Sequence, residues 1–199
     1  MGQPAEKRRE EATYADLVAA PKHMVAEIIN GTLRTHPRPA SPHAFASSEL
    51  TYELVGPFQR GKGGPGGWWI LDEPELHLPN PAARLEKDIV VPDLAGWRKE
   101  RMPRVPRVAH FTLAPDWICE VLSPSTEAED REEKMPIHAR AGVRWAWLLD
   151  PIRLTLEVLV LGKDGLWGPA TVYRDSARTR AVPFDAVEID LAALWTDLQ

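Results

Sequence analysis

The 199-residue chain predicts a single mixed α/β (α+β) domain, a central β-sheet flanked by helices and extended by β-hairpins. Three patterns carry that expectation. Two apolar runs, Ile89 to Trp97 and Pro115 to Leu122, have the length and β-rich composition of buried strands. The second leads into a helical pattern from Thr126 to about Ala141, and then into another apolar run from Arg144 to Asp150. A strand-helix-strand passage of this kind implies a parallel pair joined by a right-handed crossover. The other strands meet across turn signals as hairpins do, so the parallel pair should sit in a mixed sheet.

The elements can be read in order. Residues 1–12 are polar and charged and read as a disordered leader, leaving 13–199 as the domain. Thr13 caps a short helix to Ala20, with Asp16 in the position of a capping-box partner. Val25 to Arg34 alternates around Asn30-Gly31, a hairpin signal. After a Pro-rich bend, Ser41-Pro42 opens a helix to about Gln59, with Pro42 at its first position. Gly61 to Gly67 holds five Gly but lacks the Lys-Ser/Thr ending of a phosphate-binding loop, and reads as a hinge. Trp68 to Leu78 is a strand. Thr126 and Glu129 have capping-box spacing, Pro136 should kink or break the helix, and Gly142 should end it. Leu154 to Val160 and Leu166 to Tyr173 form a hairpin across Gly162-Lys163-Asp164-Gly165, and Leu191 to Leu198 is a closing helix. There is no internal repeat and no second domain.

Composition narrows the function classes. A content of 44% hydrophobic and 27% charged residues is that of a soluble globular protein. No apolar run approaches the ~18 residues of a membrane span, and no secretory signal opens the chain. A cytoplasmic protein without membrane partners is therefore expected. The lone Cys119 excludes an internal disulfide and a Cys-rich zinc site. A net charge of −5 argues against a protein that coats nucleic acid, since duplex binding rests on phosphate neutralisation. An acidic metal site offset by a local basic face remains compatible. Basic candidates are Arg98-Lys99-Glu100-Arg101 with Arg104 and Arg107, and the stretch Arg174 to Arg180; both also fit solvated loops.

The chemistry centres on two carboxylates set in apolar runs: Asp93 in Val90-Val91-Pro92-Asp93-Leu94 and Glu120 in Trp117-Ile118-Cys119-Glu120-Val121-Leu122. Burying an ionised carboxylate there costs several kcal/mol unless a cation satisfies it. Strand alternation puts Ile118, Glu120 and Leu122 on one face and Trp117, Cys119 and Val121 on the other. Both faces are apolar, so the strand is central, and Glu120 sits near its C-terminal end, where ligand sites in open sheets gather. Neighbouring strands presenting Asp93 and Glu120 to a shared divalent cation would suit metal-dependent hydrolysis, with nucleic acid the leading substrate. A carboxylate that caps a helix or pairs with Arg fits the same pattern. Asp130, Lys134 and His138 follow at i, i+4 and i+8, along one helical stripe. That stripe either turns toward the carboxylates, with Lys134 stabilising developing charge, or is an exposed ion-paired face. The eight Trp read mostly as core, although Trp68 and Trp69 after the Gly-rich loop also suit stacking on bases.

These residues carry a resemblance. Val91-Pro92-Asp93-Leu94, Glu120-Val121-Leu122-Ser123-Pro124-Ser125-Thr126, Asp130, Lys134, Ala141-Gly142-Val143 and Trp147-Leu148-Leu149-Asp150-Pro151 resemble the Uma-two family. These are bacterial proteins described as candidate restriction endonucleases, similar to the PD-(D/E)XK nuclease superfamily, and the likeness spans about residues 13 to 195. It implies a restriction-endonuclease-like fold and a Mg²⁺-dependent endonuclease acting on DNA, with Mn²⁺ able to substitute. Asp93 and Glu120 would hold the metal with the Val121 carbonyl, and Glu27 would act as a third carboxylate through water. His43 and Asp130 would lie near substrate, and a homodimer is expected. In the superfamily a Lys two residues after the Glu orients the attacking water. Here that position is Leu122, and the resemblance allows Lys134 to replace the missing Lys, with its ammonium within a water-bridged distance, roughly 4–6 Å, of Glu120. His138 stands where the family usually has Tyr, and Trp145-Ala146 where it has Glu-Tyr. The missing Lys also motivates an alternative: a catalytically inactive nuclease fold serving as a nucleic-acid-binding or regulatory module.

Overall fold

The computed structural model describes residues 11–196. Residues 1–10, most of the expected leader, lie outside them, while the Ala12 N–H donates to the Gly31 carbonyl at 2.8 Å. Helix α1 (Tyr14–Val18) begins at the Thr13 capping box, with both reciprocal bonds to Asp16 formed. Strands β1 (Met24–Ile29) and β2 (Thr32–Pro37) pair across Asn30 and Gly31, whose φ of 48° and 76° give the doubly left-handed turn that suits a two-residue hairpin. Helix α2 (Ser41–Leu54) runs on through a π-helical turn, Val55–Gln59, that contains Pro57.

Two runs that read as single strands are each divided. Trp68 to Leu78 becomes β3 (Trp68–Asp72) and β4 (Leu76–Pro79); Ile89 to Trp97 becomes β5 (Lys87–Val90) and β6 (Leu94–Arg98). The cause is a shared corner. Pro74 and Pro92 have no N–H to give a ladder, and Glu73 adopts a left-handed φ of 43°. The Glu73 N–H donates to the Asp93 carbonyl at 2.9 Å, so the two paired segments bend together from one sheet into the other. β3 and β6 belong to a six-stranded sheet, β4 and β5 to a four-stranded one.

The larger sheet has the order β10-β9-β8-β7-β6-β3, where β7 is Trp117–Val121, β8 Trp145–Asp150, β9 Thr155–Val160 and β10 Thr171–Arg174. Only β7 and β8 are parallel, as the crossover pattern predicts; their partners are antiparallel. The smaller sheet runs β2-β1-β5-β4. The crossover comprises α3 (Glu127–Glu129), a π-turn (Asp130–Lys134) and α4 (Met135–Arg140). Instead of breaking the helix, Pro136 is preceded by this widened turn, which relieves the clash of its ring with the turn before it. Gly142, at φ 79°, ends α4 in the left-handed cap position. The expected capping box at Thr126 does not form: its hydroxyl bonds Ser123 Oγ at 2.9 Å, and Glu129 turns to β2. The closing helix is a short 3₁₀ turn, Leu191–Leu194, preceded by the small pair β11 (Arg178–Thr179) and β12 (Ile189–Asp190); residues 197–199 lie outside the described ones.

The large sheet separates two cores. On one face Trp117, Cys119 and Val121 pack with Ala46, Leu50 and Leu54 of α2, and with Phe184. On the other face Ile118 and Leu122 pack with Met135 and Ile137 of α4 and with Leu76 and Val90 of the small sheet. The strand alternation read from residues 117–122 is thus realised. Among the described residues, no helix is long and apolar enough to cross a membrane.

Candidate active site

Glu120 lies on the second face, 1% exposed, where the crossover helix covers the sheet. Each of its oxygens has a partner. Lys134 Nζ donates to Oε2 at 2.9 Å, and His138 Nε2 lies 3.1 Å from Oε1. Asp130, Lys134 and His138 are all buried, so the helical stripe faces inward and is not a solvated one. Lys134 Nζ also reaches Asp130 Oδ1 at 3.4 Å, Glu27 Oε1 at 3.5 Å and the Val91 carbonyl at 3.4 Å.

Asp93 occupies the corner between the sheets. Its Oδ2 accepts the Val121 N–H at 2.7 Å, and its Oδ1 lies 3.1 Å from His43 Nε2 at the start of α2. Glu27 reaches the same corner from β1, where its Oε1 accepts the Val91 N–H at 2.7 Å. The corner therefore holds Asp93, Glu27 and the main chain of Val91 and Val121 in one fixed arrangement. A cavity of about 320 Å³ opens here, lined by Glu27, His43, Asp93, Asp130 and Lys134, with His36, Arg38 and Glu129 toward β2. Glu120 does not line it but contacts Lys134, which does.

The electrostatics follow from burial. Desolvation raises Glu27 and Asp130 above the usual carboxylate range, partly offset by the Lys134 charge. Burial alone would lower Lys134, but Glu120, Glu27, Asp130 and Asp93 outweigh it and hold its ammonium well above the ordinary lysine value. His43 is likewise lowered by burial and raised more by its hydrogen bond and charge pairing with Asp93. Four acidic side chains thus share one Lys and two imidazoles.

That excess of acid is the test of whether a divalent metal fits. Each carboxylate offers about four lone-pair directions, and both Asp93 and Glu120 use only two of them on the contacts above. The donor set is hard oxygen, as Mg²⁺ prefers, and uncompensated negative charge in a part-buried site favours a cation. Glu27, His36 and Glu129 also place one donor atom each within 4.8 Å of one another beside the cavity. The donor chemistry of Asp93, Glu120 and Glu27 suits a divalent metal, although the groups of three whose donor atoms come together among the described residues include neither Asp93 nor Glu120.

His36 and Glu129 were not singled out by sequence reasoning. Arg34 and His36 share a face of β2 at strand spacing, and that period-two repeat was the available signal. Arg34 Nε meets Glu129 Oε2 at 3.2 Å, and His36 Nε2 lies 2.7 Å from Glu129 Oε1. The tryptophans are structural. Trp68 lies under the Arg98 guanidinium at 5.1 Å, and Trp69 under the Lys99 ammonium at 4.3 Å with its indole N–H on the Met102 carbonyl. Neither ring presents a free face to a base, and Arg98 and Lys99 are committed to these stacks. Arg104 and Arg107 are exposed.

Comparison with known proteins agrees with this fold. The Uma2 family model, described as "Putative restriction endonuclease", matches residues 12–192. Among solved structures, the chain is similar to a "putative nuclease belonging to DUF820" from Anabaena variabilis ATCC 29413. The TM-score is 0.71 at 20% sequence identity, over 93% of this chain and 98% of that one. That likeness shows the fold. No curated protein matches.

Proposed function

The chain belongs to the Uma2 family, and from that premise we propose that it is a Mg²⁺-dependent endonuclease hydrolysing phosphodiester bonds in DNA. Family membership supports a nuclease function; the metal and the substrate are our reading. The observation that carries it is the Lys134 ammonium, 2.9 Å from Glu120 and lining a cavity that also contains Asp93 and Glu27. A buried lysine facing an acidic, partly open site is the arrangement that phosphoryl transfer needs for holding water and neutralising charge.

Asp93 and Glu120 would hold the ion, with the Val121 carbonyl and, through water, Glu27 completing an oxygen set. A bound Mg²⁺, or Mn²⁺ in its place, supplies acidification of water and neutralisation of the departing oxygen. The chain's own residues do the rest. Lys134 orients the attacking water by giving up one of its longer contacts, to Asp130, Glu27 or the Val91 carbonyl, while keeping Glu120. His138 fixes the Glu120 carboxylate from the side opposite Lys134, and His43 does the same for Asp93. Asp130, four residues before Lys134, keeps the ammonium pointed at the cavity. His43, which also borders a second hollow beside α2, stands where a substrate phosphate would enter. The open edge of β10 supports a homodimer, which light scattering would report as twice the 22.3 kDa chain mass.

The test is cleavage of plasmid and single-stranded DNA by the purified chain with Mg²⁺ or Mn²⁺, and its loss in Glu120→Ala. Absence of cleavage under every condition, with Glu120→Ala changing nothing, overturns the reading. One observation favours binding without turnover: Leu122, at the position of the motif lysine, is 1% exposed and packed in the apolar cluster with Met135 and Ile137. That reading expects DNA binding that survives Asp93→Ala in the absence of divalent metal.

A further inference from the structure

A second group of metal-ligating side chains lies apart from the cavity, and none of its members lines it. Glu75 immediately precedes β4, His77 lies in it, and His110 comes from the long connection between β6 and β7. Two main-chain bonds fasten these segments: the His77 N–H donates to the Phe111 carbonyl at 2.8 Å, and the Phe111 N–H to the Glu75 carbonyl at 2.9 Å. The imidazoles of His77 and His110 consequently stack, with centroids 3.6 Å apart and planes 3° from parallel. The Tyr14 ring stands edge-on to both, at 5.5 and 6.4 Å.

The polar atoms of this group are poorly satisfied. His77 is only 5% exposed, and its Nε2 meets Glu75 Oε1 at 2.7 Å. The Nδ1 atoms of His77 and His110 are buried without a hydrogen-bond partner among the described residues. A buried imidazole nitrogen left bare costs free energy that a ligand would recover. One donor atom from each of Glu75, His77 and His110 lies within 4.8 Å of the others. In a tetrahedral zinc site with bonds near 2.1 Å, donors stand about 3.4 Å apart, so the group must close and the two parallel rings must turn apart for their in-plane lone pairs to meet on one ion. The half-exposed His110 ring would tilt out of the stack to aim its lone pair.

We propose that Glu75, His77 and His110 form a second metal site that takes a borderline-soft divalent transition ion, with Zn²⁺ the leading ion. The ligand chemistry decides the class. Two imidazoles and one carboxylate suit Zn²⁺, Ni²⁺ and Cu²⁺, whereas Mg²⁺ prefers a set made of oxygens. Three protein ligands leave one position for water. Tyr14, whose hydroxyl lies 3.5 Å from Glu75 Oε1, borders that position. The role is structural: the ion staples the connection carrying exposed Arg104 and Arg107 to β4, next to the corner at Glu73 and Asp93. Because Glu75 and His110 are only partly buried, the ion has a path in.

Chelator-stripped full chain titrated with Co²⁺ and then Zn²⁺ tests this by uptake and thermal midpoint, independently of DNA cleavage. The expected result is visible ligand-field bands from Co²⁺, displaced by Zn²⁺ and left in place by excess Mg²⁺. With Zn²⁺ a hundredfold above its dissociation constant, the midpoint should rise by about 5–11 °C. His110→Ala, on an exposed connection where folding tolerates change, should lose both signals, and Glu75→Gln should weaken binding at least about tenfold. Asp93→Ala should retain both. Absence of Co²⁺ bands in the wild type, bands that persist in His110→Ala, or bands abolished by Asp93→Ala would overturn the assignment.

Discussion

The two faces of β7 differ by a single residue step and carry opposite burdens. On one, Trp117 meets Trp147 and Phe184 edge to face, with centroids 5.3 and 4.9 Å apart, and Cys119 and Val121 complete an apolar layer under α2. On the other, Glu120 is equally buried but surrounded by Lys134 and His138. Apolar burial of this kind stabilises the fold, whereas a buried ion pair contributes little net stability and is expensive to leave half made. One face of the strand is therefore apolar throughout, whereas the other sets the Glu120 centre into a second apolar core with Ile118, Leu122, Met135 and Ile137. Substitutions on the two faces should then fail in different ways.

The largest effect is expected at Lys134. Lys134→Ala should lower cleavage about 10²- to 10³-fold while leaving metal uptake by Asp93 and Glu120 measurable by calorimetry. Lys134→Arg should not restore the rate, because a planar guanidinium is no substitute for a compact ammonium in a closed site. Phe184→Ala should do the reverse. Denaturant unfolding should show a loss of about 3–5 kcal/mol, with activity per folded molecule near that of the wild type. If Phe184→Ala abolished cleavage in fully folded protein, the division between the faces would be wrong.

The same comparison explains what the sequence revealed. Alternation along residues 117–122 assigned both faces of β7, because a strand's period of two needs no tertiary information. The Thr13 box and the Asn30-Gly31 turn were legible for the same reason: their chemistry is local. The corners were not. The runs 68–78 and 89–97 have the composition of single strands, and only their mutual pairing shows that both bend at Glu73 and Asp93. Nor could spacing show that Glu129 abandons its cap for Arg34 and His36, which lie 93 to 95 positions earlier on another sheet. Lys134 was accessible because Asp130, Lys134 and His138 repeat at helical spacing, and the π-turn left that stripe facing Glu120.

An intermediate effect is expected at His138, which touches Glu120 and no part of the cavity. It acts as a positioning residue. His138→Ala should lower metal affinity or activity about 10- to 100-fold, the range for residues that orient a ligand. His138→Gln, which can still donate to Glu120 Oε1, should recover much of that loss. Equal failure of both variants would mean that the imidazole has a role beyond holding Glu120 in place.

The smallest effect belongs beside the cavity, at Arg34, where neither face of β7 is involved. Arg34 is 37% exposed and bridges Glu129 at 3.2 Å and Glu133 at 2.9 Å. Exposed pairs of this kind contribute about 0–1 kcal/mol, so Arg34→Ala should barely move the unfolding midpoint. Its charge matters more toward a polyanion. Removing it takes away the cation paired with Glu129, which lines the cavity, and leaves Glu129 and Glu133 without it. DNA affinity should fall severalfold, and the slope of log affinity against log salt should flatten by about 0.9 if one phosphate contact is lost. The unit rate of cleavage at saturating DNA should stay unchanged, because Arg34 touches neither Asp93, Glu120 nor Lys134. An unchanged salt slope would place the path of the DNA elsewhere, with exposed Arg104 and Arg107 the next cations to remove.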